Sequence, residues 1–398
     1  MLKNIRIILI CCVSFIVLLT GLAVFAANIK SIKEIEDTSK LINIKNFGAK
    51  GDGVSDDSDA INQALRQASN ENKVVFFPEG TYLIESPISL EYSVGKFLML
   101  KGENLDKVKI VGSENLNGTM LTSMMRSTFY IRDITFNHKG NGTCVDAFYI
   151  YAYNCNFTSA STNPADMLIF TGSNCRVEKC TFDSDSQEAY AICHSRRIDP
   201  VANEPESGIA INSYIIDCIF KGKSKGIELI TEDTKTNRQL EGLKINNNVF
   251  ENTGNEQITI RRAFHVDISN NIMSGCQGNA VVLEPGACAI YICGNKIQSA
   301  KACVYTKNDG RESDVVISDN IMEKSEIAIN FDSYISELII DNNLIRNVSN
   351  GIFIRDMNNV IITNNDILVD DESKAINVLS SNENLLVDNN NYESEVRK

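Results

Sequence analysis

One pattern constrains this chain more than any other: a short segment ending in a large apolar residue returns roughly every two dozen positions. It reads IRDITF up to Phe136, AYNCNF up to Phe157, VEKCTF up to Phe182 and IIDCIF up to Phe220. It continues as INNNVF, ISNNIM, ICGNKI and ISDNIM, ending at Phe250, Met273, Ile297 and Met322, and then as IDNNLI, ITNNDI and VDNNNY, ending at Ile345, Ile367 and Tyr392. From Phe250 onward the steps are 23, 24, 25, 23, 22 and 25 residues. A period of this size marks a solenoid, in which each unit buries its apolar side only by stacking on the next. Each unit holds a second apolar segment, such as Gly226-Ile227-Glu228-Leu229-Ile230 or Gly351-Ile352-Phe353-Ile354. The alternation inside these segments is that of strands, not helices. Short strands with no helix between them fit one coil of a parallel β-helix. Like strands stack ~4.8 Å apart, so roughly a dozen coils predict a rod of ~55 Å.

A single column of the repeat sharpens this reading. Two positions before the terminal apolar residue stand Cys155, Cys180 and Cys218, then Asn248, Asn271, Asn295, Asn320, Asn343, Asn365 and Asn390. Stacked amides can bond to one another and to the backbone of a corner, and without such bonds their burial would be costly. The column is therefore expected to hold the stack together and not to bind a ligand.

Residues 44–84 read IKNFGAKGDGVSDDSDAINQALRQASNENKVVFFPEGTYLI. Ala60, Ile61, Ala64, Leu65 and Ala68 recur at helical spacing, which predicts one amphipathic helix over 57–69 behind the N-capping oxygens of Ser55, Asp56 and Asp57. The strand Val74-Val75-Phe76-Phe77 and the turn Pro78-Glu79-Gly80 follow. This ordered run, FGAKGDGVSDD then helix then VVFFPEGTYLI, resembles the pectate lyase superfamily in its rhamnogalacturonase and epimerase-like branch. The resemblance implies an all-β, single-stranded right-handed parallel β-helix with a short N-terminal capping helix, and a carbohydrate-active function. Asp52, Asp56 and Asp57 are expected to serve the cap that covers the first sheet edge.

Ahead of this domain, Lys3 and Arg6 precede an uninterrupted apolar run from Ile7 to Ala27. The pattern predicts a signal peptide or an N-terminal membrane anchor over 1–27, a linker over 28–43 and a β-helix domain over 44–398, with the domain secreted or at the cell surface. Any membrane contact would run through residues 7–27. With 38 Lys and Arg against 51 Asp and Glu, the net charge is −13. That balance excludes the basic footprint of a nucleic-acid-binding protein. Of the twelve cysteines, ten lie beyond the apolar run and show no zinc-type spacing. They read as buried thiols or, since export would permit it, as disulfide partners.

Chemistry is expected where coils lengthen. Insertions at 193–207 and 231–242, with a smaller one at 306–313, fall at matching places after the second strand and can wall a groove. The same corner collects His194, Glu232 with Asp233, Arg261 with Arg262, Glu284 and Lys307 on successive coils. Arg197, in the first insertion, either grips an acidic sugar or pairs with Asp199 and Glu204. On the adjacent strand Phe264, Val266 and Ile268 are expected inward, leaving His265 and Asp267 outward with Tyr214 and Tyr291 aligned to Asp267. Two mechanisms fit a polymeric glycan. A hydrolase needs two carboxyl groups about the glycosidic oxygen, for which Glu232 or Asp233 with Glu284 is the expected pair. A lyase needs a neutralised uronate and a base; Glu232 and Asp233 would hold a Ca²⁺ and Arg261 would take the proton. His194, Arg197, Tyr214, Arg262, His265, Asp267, Tyr291 and Lys307 are the expected substrate contacts. The Gly-His-Gly and Arg-Ile-Lys signatures of polygalacturonases are absent, which weakens a pectin hydrolase in particular. The leading reading is an exported polysaccharide lyase or glycoside hydrolase. A non-catalytic glycan-binding, adhesin-like surface protein and a sugar epimerase are the alternatives.

Overall fold

The computed structural model describes residues 40–90, 97–123, 127–194, 198–199, 204–205, 211–229, 240–251, 254–306, 311–379 and 383–394. The predicted leader, and with it the membrane question, lies outside them. So do Arg197, Glu232, Asp233 and Lys307.

Each coil contributes one strand to each of three parallel sheets, A, B and C, as in Leu240–Asn246, Val249–Glu251 and Glu256–Ile260. Among the described residues sheet A has 15 strands, sheet B 14 and sheet C 12. The stack is a parallel β-solenoid of about 12 turns, as the repeat predicts. Inward residues of all three sheets meet on the axis. The terminal apolar residue of each repeat faces there in sheet B, and Phe136, Phe157, Phe182, Phe220 and Phe250 stack face to face with centroids 4.4–5.4 Å apart. Each ring is fully or almost fully buried, worth about 2–3 kcal/mol per side chain by transfer from water.

The asparagine column is a hydrogen-bonded ladder. Asn248 donates through its backbone N–H and Nδ2 to Asn271 Oδ1, at 2.9 and 3.0 Å, and through Nδ2 to the Ile215 carbonyl at 2.9 Å. The pattern repeats through Asn271, Asn295, Asn320, Asn343 and Asn365 to Asn390. The residue before each of these asparagines, such as Asn247, Asn270 or Asn342, is left-handed, a conformation that Asn and Gly tolerate best.

The helix spans Ser58–Glu71 and buries Ala60, Ile61, Ala64, Leu65 and Ala68 over the first coil. The carboxylates before it tie local turns: Asp57 accepts from the N–H groups of Lys50 and Gly51 at 2.7 and 3.0 Å, and Asp52 from those of Val54 and Ser55. The strand Leu41–Asn43 pairs with Val74–Phe76, so the solenoid begins inside the stretch expected to be linker.

All ten described cysteines are free thiols. Burial pushes the thiols of Cys144, Cys175 and Cys303 up to about 12, and a thiol held protonated is a poor nucleophile. A thiol-reactive dye should therefore label only the partly exposed Cys288 and Cys293 quickly in the native protein, the other eight reacting after denaturation. Fewer than ten reactive thiols under non-reducing denaturation, leader cysteines aside, would reveal disulfides instead.

Candidate functional site

In Gly226-Ile227-Glu228-Leu229 the two aliphatic side chains are fully buried, and the residue between them is left on the outer face of sheet C. Gly226 permits this coil to lie against the next: a Cβ there would stand 2.0 Å from the Gln257 carbonyl oxygen. Parallel register then aligns one outward column over successive rungs, Asp146, Ile169, Cys193, Glu228, Thr259, Val282, Tyr305, Asn330 and Phe353.

Glu228 sits at the centre of a partly buried polar cluster. Its Oε2 lies 3.9 Å from the Cys193 Sγ. Asp166, just before the strand Leu168–Phe170, accepts from the Tyr190 N–H at 2.8 Å. Lys225 holds its ammonium 4.8 Å from the centroid of the Tyr190 ring. Burial, reinforced by the negative charge of Asp166, pushes the Glu228 carboxyl up to about 7. Burial likewise raises Asp166, against the pull of the Tyr190 N–H and of Lys225. The Tyr190 phenol is raised as well, first by burial and then by the charges of Glu228 and Glu256. Here are two carboxyl groups two coils apart, with the strand Tyr190–His194 between them, and one of them keeps its proton into the neutral range. Such a pair is what acid–base chemistry at a glycosidic bond requires.

At the corner beyond sheet C, Arg261 and Glu284 form an ion pair through the guanidinium Nη2 and Nε. Glu284 is only 5% exposed, so the arginine is its neutralising partner. A guanidinium committed in this way is a poor proton acceptor, which speaks against Arg261 as a base. Arg262, next in the chain, is left-handed and donates its N–H to the Pro285 carbonyl at 3.3 Å.

His194 requires a correction. It is 2% exposed and packs edge-on to Phe170 with centroids 4.7 Å apart. Burial lowers its imidazole to about 4, so it is a neutral core residue and cannot touch a glycan. The expected inward position of Phe264 is also corrected. His265 is left-handed (φ 55°), as Gly242 and Ala289 are at the same place in the neighbouring coils, and this bulge shifts the alternation. Ala263, Val266 and Ile268 point inward instead, and Phe264 lies half-buried against the His265 ring. His265 is exposed, with Nδ1 3.7 Å from Glu241 Oε1. Tyr214, Lys244, Asp267 and Tyr291 do align on consecutive rungs, but on the outer face of sheet A. The expected contacts among the described residues are thus divided between two faces; Arg261 acts on Glu228 through its charge, and Glu284 is reached through Arg261. Glu228, Asp166 and Tyr190 were not singled out in the sequence, although the Ile-Glu-Leu alternation marks Glu228 as outward.

Among the described residues no group of three or more His, Cys, Asp or Glu is placed to hold a metal ion. A carboxyl that keeps its proton at neutral pH is also a weak cation ligand. The Ca²⁺ expectation rests on Glu232 and Asp233 alone.

Comparison with known proteins adds an independent line. A profile of the family described as "Rhamnogalacturonase A/epimerase, pectate lyase-like" matches residues 41–282. A glucan 1,3-beta-glucosidase of Cochliobolus carbonum is 46% identical over 61 residues, covering 13% of this chain and 8% of that protein. The first three curated relatives are covered over only 4–9% of their own length. Among solved structures, the family 28 exopolygalacturonase of Yersinia enterocolitica superposes with a TM-score of 0.62 at 12% identity, covering 89% of this chain and 78% of that one. The A-module of the mannuronan C-5 epimerase AlgE4 of Azotobacter vinelandii superposes at 0.50 and 14% identity, covering 87% of this chain and 99% of that one. At these identities the likeness is one of fold.

Proposed function

Because the chain belongs to the rhamnogalacturonase A/epimerase, pectate lyase-like family, a family of carbohydrate-active β-helices, we propose that it is a glycoside hydrolase. Its substrate is a polymeric glycan with uronate residues, lying along the outer face of sheet C. The observation that carries this reading is the Glu228 carboxyl, partly buried against Cys193 on the outer face of sheet C and raised to about 7 by burial and by the charge of Asp166 two coils away. Glu228 donates its proton to the glycosidic oxygen of the leaving sugar. Asp166, as the carboxylate, assists water on the other side of the anomeric carbon. Tyr190 and Cys193, on the coil between, hold the two carboxyl groups in place, while Lys225 supplies positive charge for a sugar carboxylate. Tyr305 and Phe353 extend the same column toward the C-terminal coils and offer aromatic surface to further sugar units. The basic and apolar residues at 3–27 support an activity outside the cytoplasm.

The committed state of Arg261 disfavours the lyase. Incubation with polygalacturonate, alginate and β-1,3-glucan separates the readings. A hydrolase releases reducing ends without unsaturated uronate, and kcat/KM should fall about tenfold per pH unit as pH rises beyond about 7, where Glu228 loses its proton. Unsaturated products would establish a lyase, and inverted C5 stereochemistry without cleavage an epimerase. Binding without turnover on any polymer would favour a surface lectin and end the hydrolase reading.

A further inference from the structure

Toward the C-terminal coils the outer face of sheet A changes character. Through the strands Cys288–Cys293, Arg311–Ser318, Leu338–Asp341, Asn358–Thr363 and Glu383–Asp388, parallel register lines up one outward column: Tyr291, Val316, Ile339, Ile361 and Leu386. Beside it Ile290, Ile317, Ile340 and Ile362 point inward and are fully buried. The column itself stands in solvent, with Tyr291 41%, Ile339 and Ile361 37% and Leu386 51% exposed. Strand propensity does not demand this, because the preceding coils put Lys244 and Asp267 at the same place. The column is bordered by acid. Asp341 and Asp388 occupy outward positions on one side. On the other, Asp314 and Glu337 lead into Val315 and Leu338, which pair on adjacent rungs. Hydrogen bonding to Asp314 and its negative charge raise the Glu337 carboxyl above the ordinary value. In these five strands Arg311 is the only Lys or Arg. Asp341 accepts from Thr363 and Asn364, both at 2.8 Å, and Asp314 from the Cys288 thiol at 3.5 Å. Among the described side chains, the ion pairs of these coils lie elsewhere, at Glu323 and Asp332.

An apolar column in water, rimmed by charge of one sign, marks an interaction surface. Its chemistry selects the occupant. Four aliphatic side chains offer a sugar neither hydrogen bonds nor a ring to stack on. The acidic borders repel an anionic membrane. A second copy laid on the same face would set acid against acid. A positively charged polypeptide satisfies both parts, with apolar side chains on the column and Lys or Arg over its borders. A cation placed between Asp314 and Glu337 also relieves their mutual repulsion. The column lies on the face of a sheet whose strands are already paired, so the partner cannot join as a further strand; the apolar stripe of a helix fits it. Four steps of ~4.8 Å make ~19 Å, the length of ~13 residues of helix. We propose that this face of sheet A docks a basic amphipathic helix of a partner protein. Its apolar stripe rests on Ile339 and Ile361, and its Lys and Arg side chains meet Asp314, Glu337, Asp341 and Asp388. The surface is separate from Glu228 on sheet C and does not depend on the hydrolase reading.

The test uses the whole chain and a labelled synthetic peptide of ~14 residues, with leucine at i, i+3, i+4 and i+7 and lysine elsewhere. Fluorescence anisotropy reads its affinity. One control peptide has the same composition with the leucines spread around the helix, and another has glutamate in place of lysine. The basic amphipathic peptide should bind at least tenfold more tightly than either. Ile339→Thr combined with Ile361→Thr, and separately Asp314→Asn combined with Glu337→Gln, should each weaken it at least tenfold. The threonines keep β-branched side chains at exposed positions, and an unchanged Tm verifies the fold; the carboxylate pair keeps the test open if the threonine variant is unstable. Asp183→Asn combined with Glu251→Gln removes as much charge from sheet B and should leave binding unchanged. No binding, equal binding of either control peptide, or equal weakening by the sheet B variant would overturn the proposal. So would sedimentation showing a dimer that Ile339→Thr with Ile361→Thr dissolves, since the column would then belong to a second copy.

Discussion

Replacing Glu228 by Gln should lower kcat by about 10²–10⁴, the usual contribution of a positioned general acid, while making the protein more stable in alkali. The two effects have one cause. The folded carboxyl keeps its proton to about 7, whereas the unfolded one releases it near 4.3. Between those values the folded state binds more protons than the unfolded state, so wild-type stability is greatest below the window and falls as pH rises through it. Glutamine has no proton to lose. The variant should melt higher than wild type at about pH 8, by about 2 °C because partial exposure screens the charge. Thermal melts across the pH range check this, and the two curves should converge in acid. A variant that is inactive and less stable at every pH would assign Glu228 a structural role.

The second large effect concerns the scaffold. Asn295→Ala should cost about 3–5 kcal/mol, because it strands buried partners on both sides. Asn295 Oδ1 accepts from the N–H and Nδ2 of Asn271 at 2.9 and 3.0 Å, and its Nδ2 donates to the Ile268 carbonyl at 2.8 Å and to Asn320 Oδ1 at 3.0 Å. The same change at Asn390, half-buried on the last rung of the ladder, should cost about 1 kcal/mol. Urea denaturation reads the difference. Hydrogen exchange should localise the loss to the coils around Asn271–Asn320, since a solenoid couples mainly to its nearest neighbours. Equal costs at the two positions would mean that the column is not a cooperative ladder.

The fold was legible because the repeat places one kind of chemistry at one place in coil after coil. Phe250, Met273 and Ile297 mark the axis, and Asn248 to Asn390 mark the corner. The site was less legible. The inserted segments drew attention to Glu232 and Asp233, yet the clearest cluster among the described residues stands on regular strands. Glu228 could have been found by parity, since it lies between Ile227 and Leu229. Parity also assigns His194 to the core, because it shares its side with Ile192. Asp166 carries no such signal: it precedes its strand in an irregular stretch, and only register brings it near Glu228. The bulge at His265 was beyond sequence reading, because nothing but its place beside Gly242 marks that residue for a left-handed backbone.

The claim at the centre of this account is that Glu228 is held as a neutral acid on the outer face of sheet C. It can be measured without any substrate, by following the ¹³C resonances of the glutamate carboxyl groups through a pH titration, with Glu228→Gln to assign the signal. One resonance should titrate at about 7 and vanish in the variant. If every glutamate, including the one lost in Glu228→Gln, titrates at or below the ordinary value of about 4.3, Glu228 is a common surface carboxylate and the proposed acid does not exist.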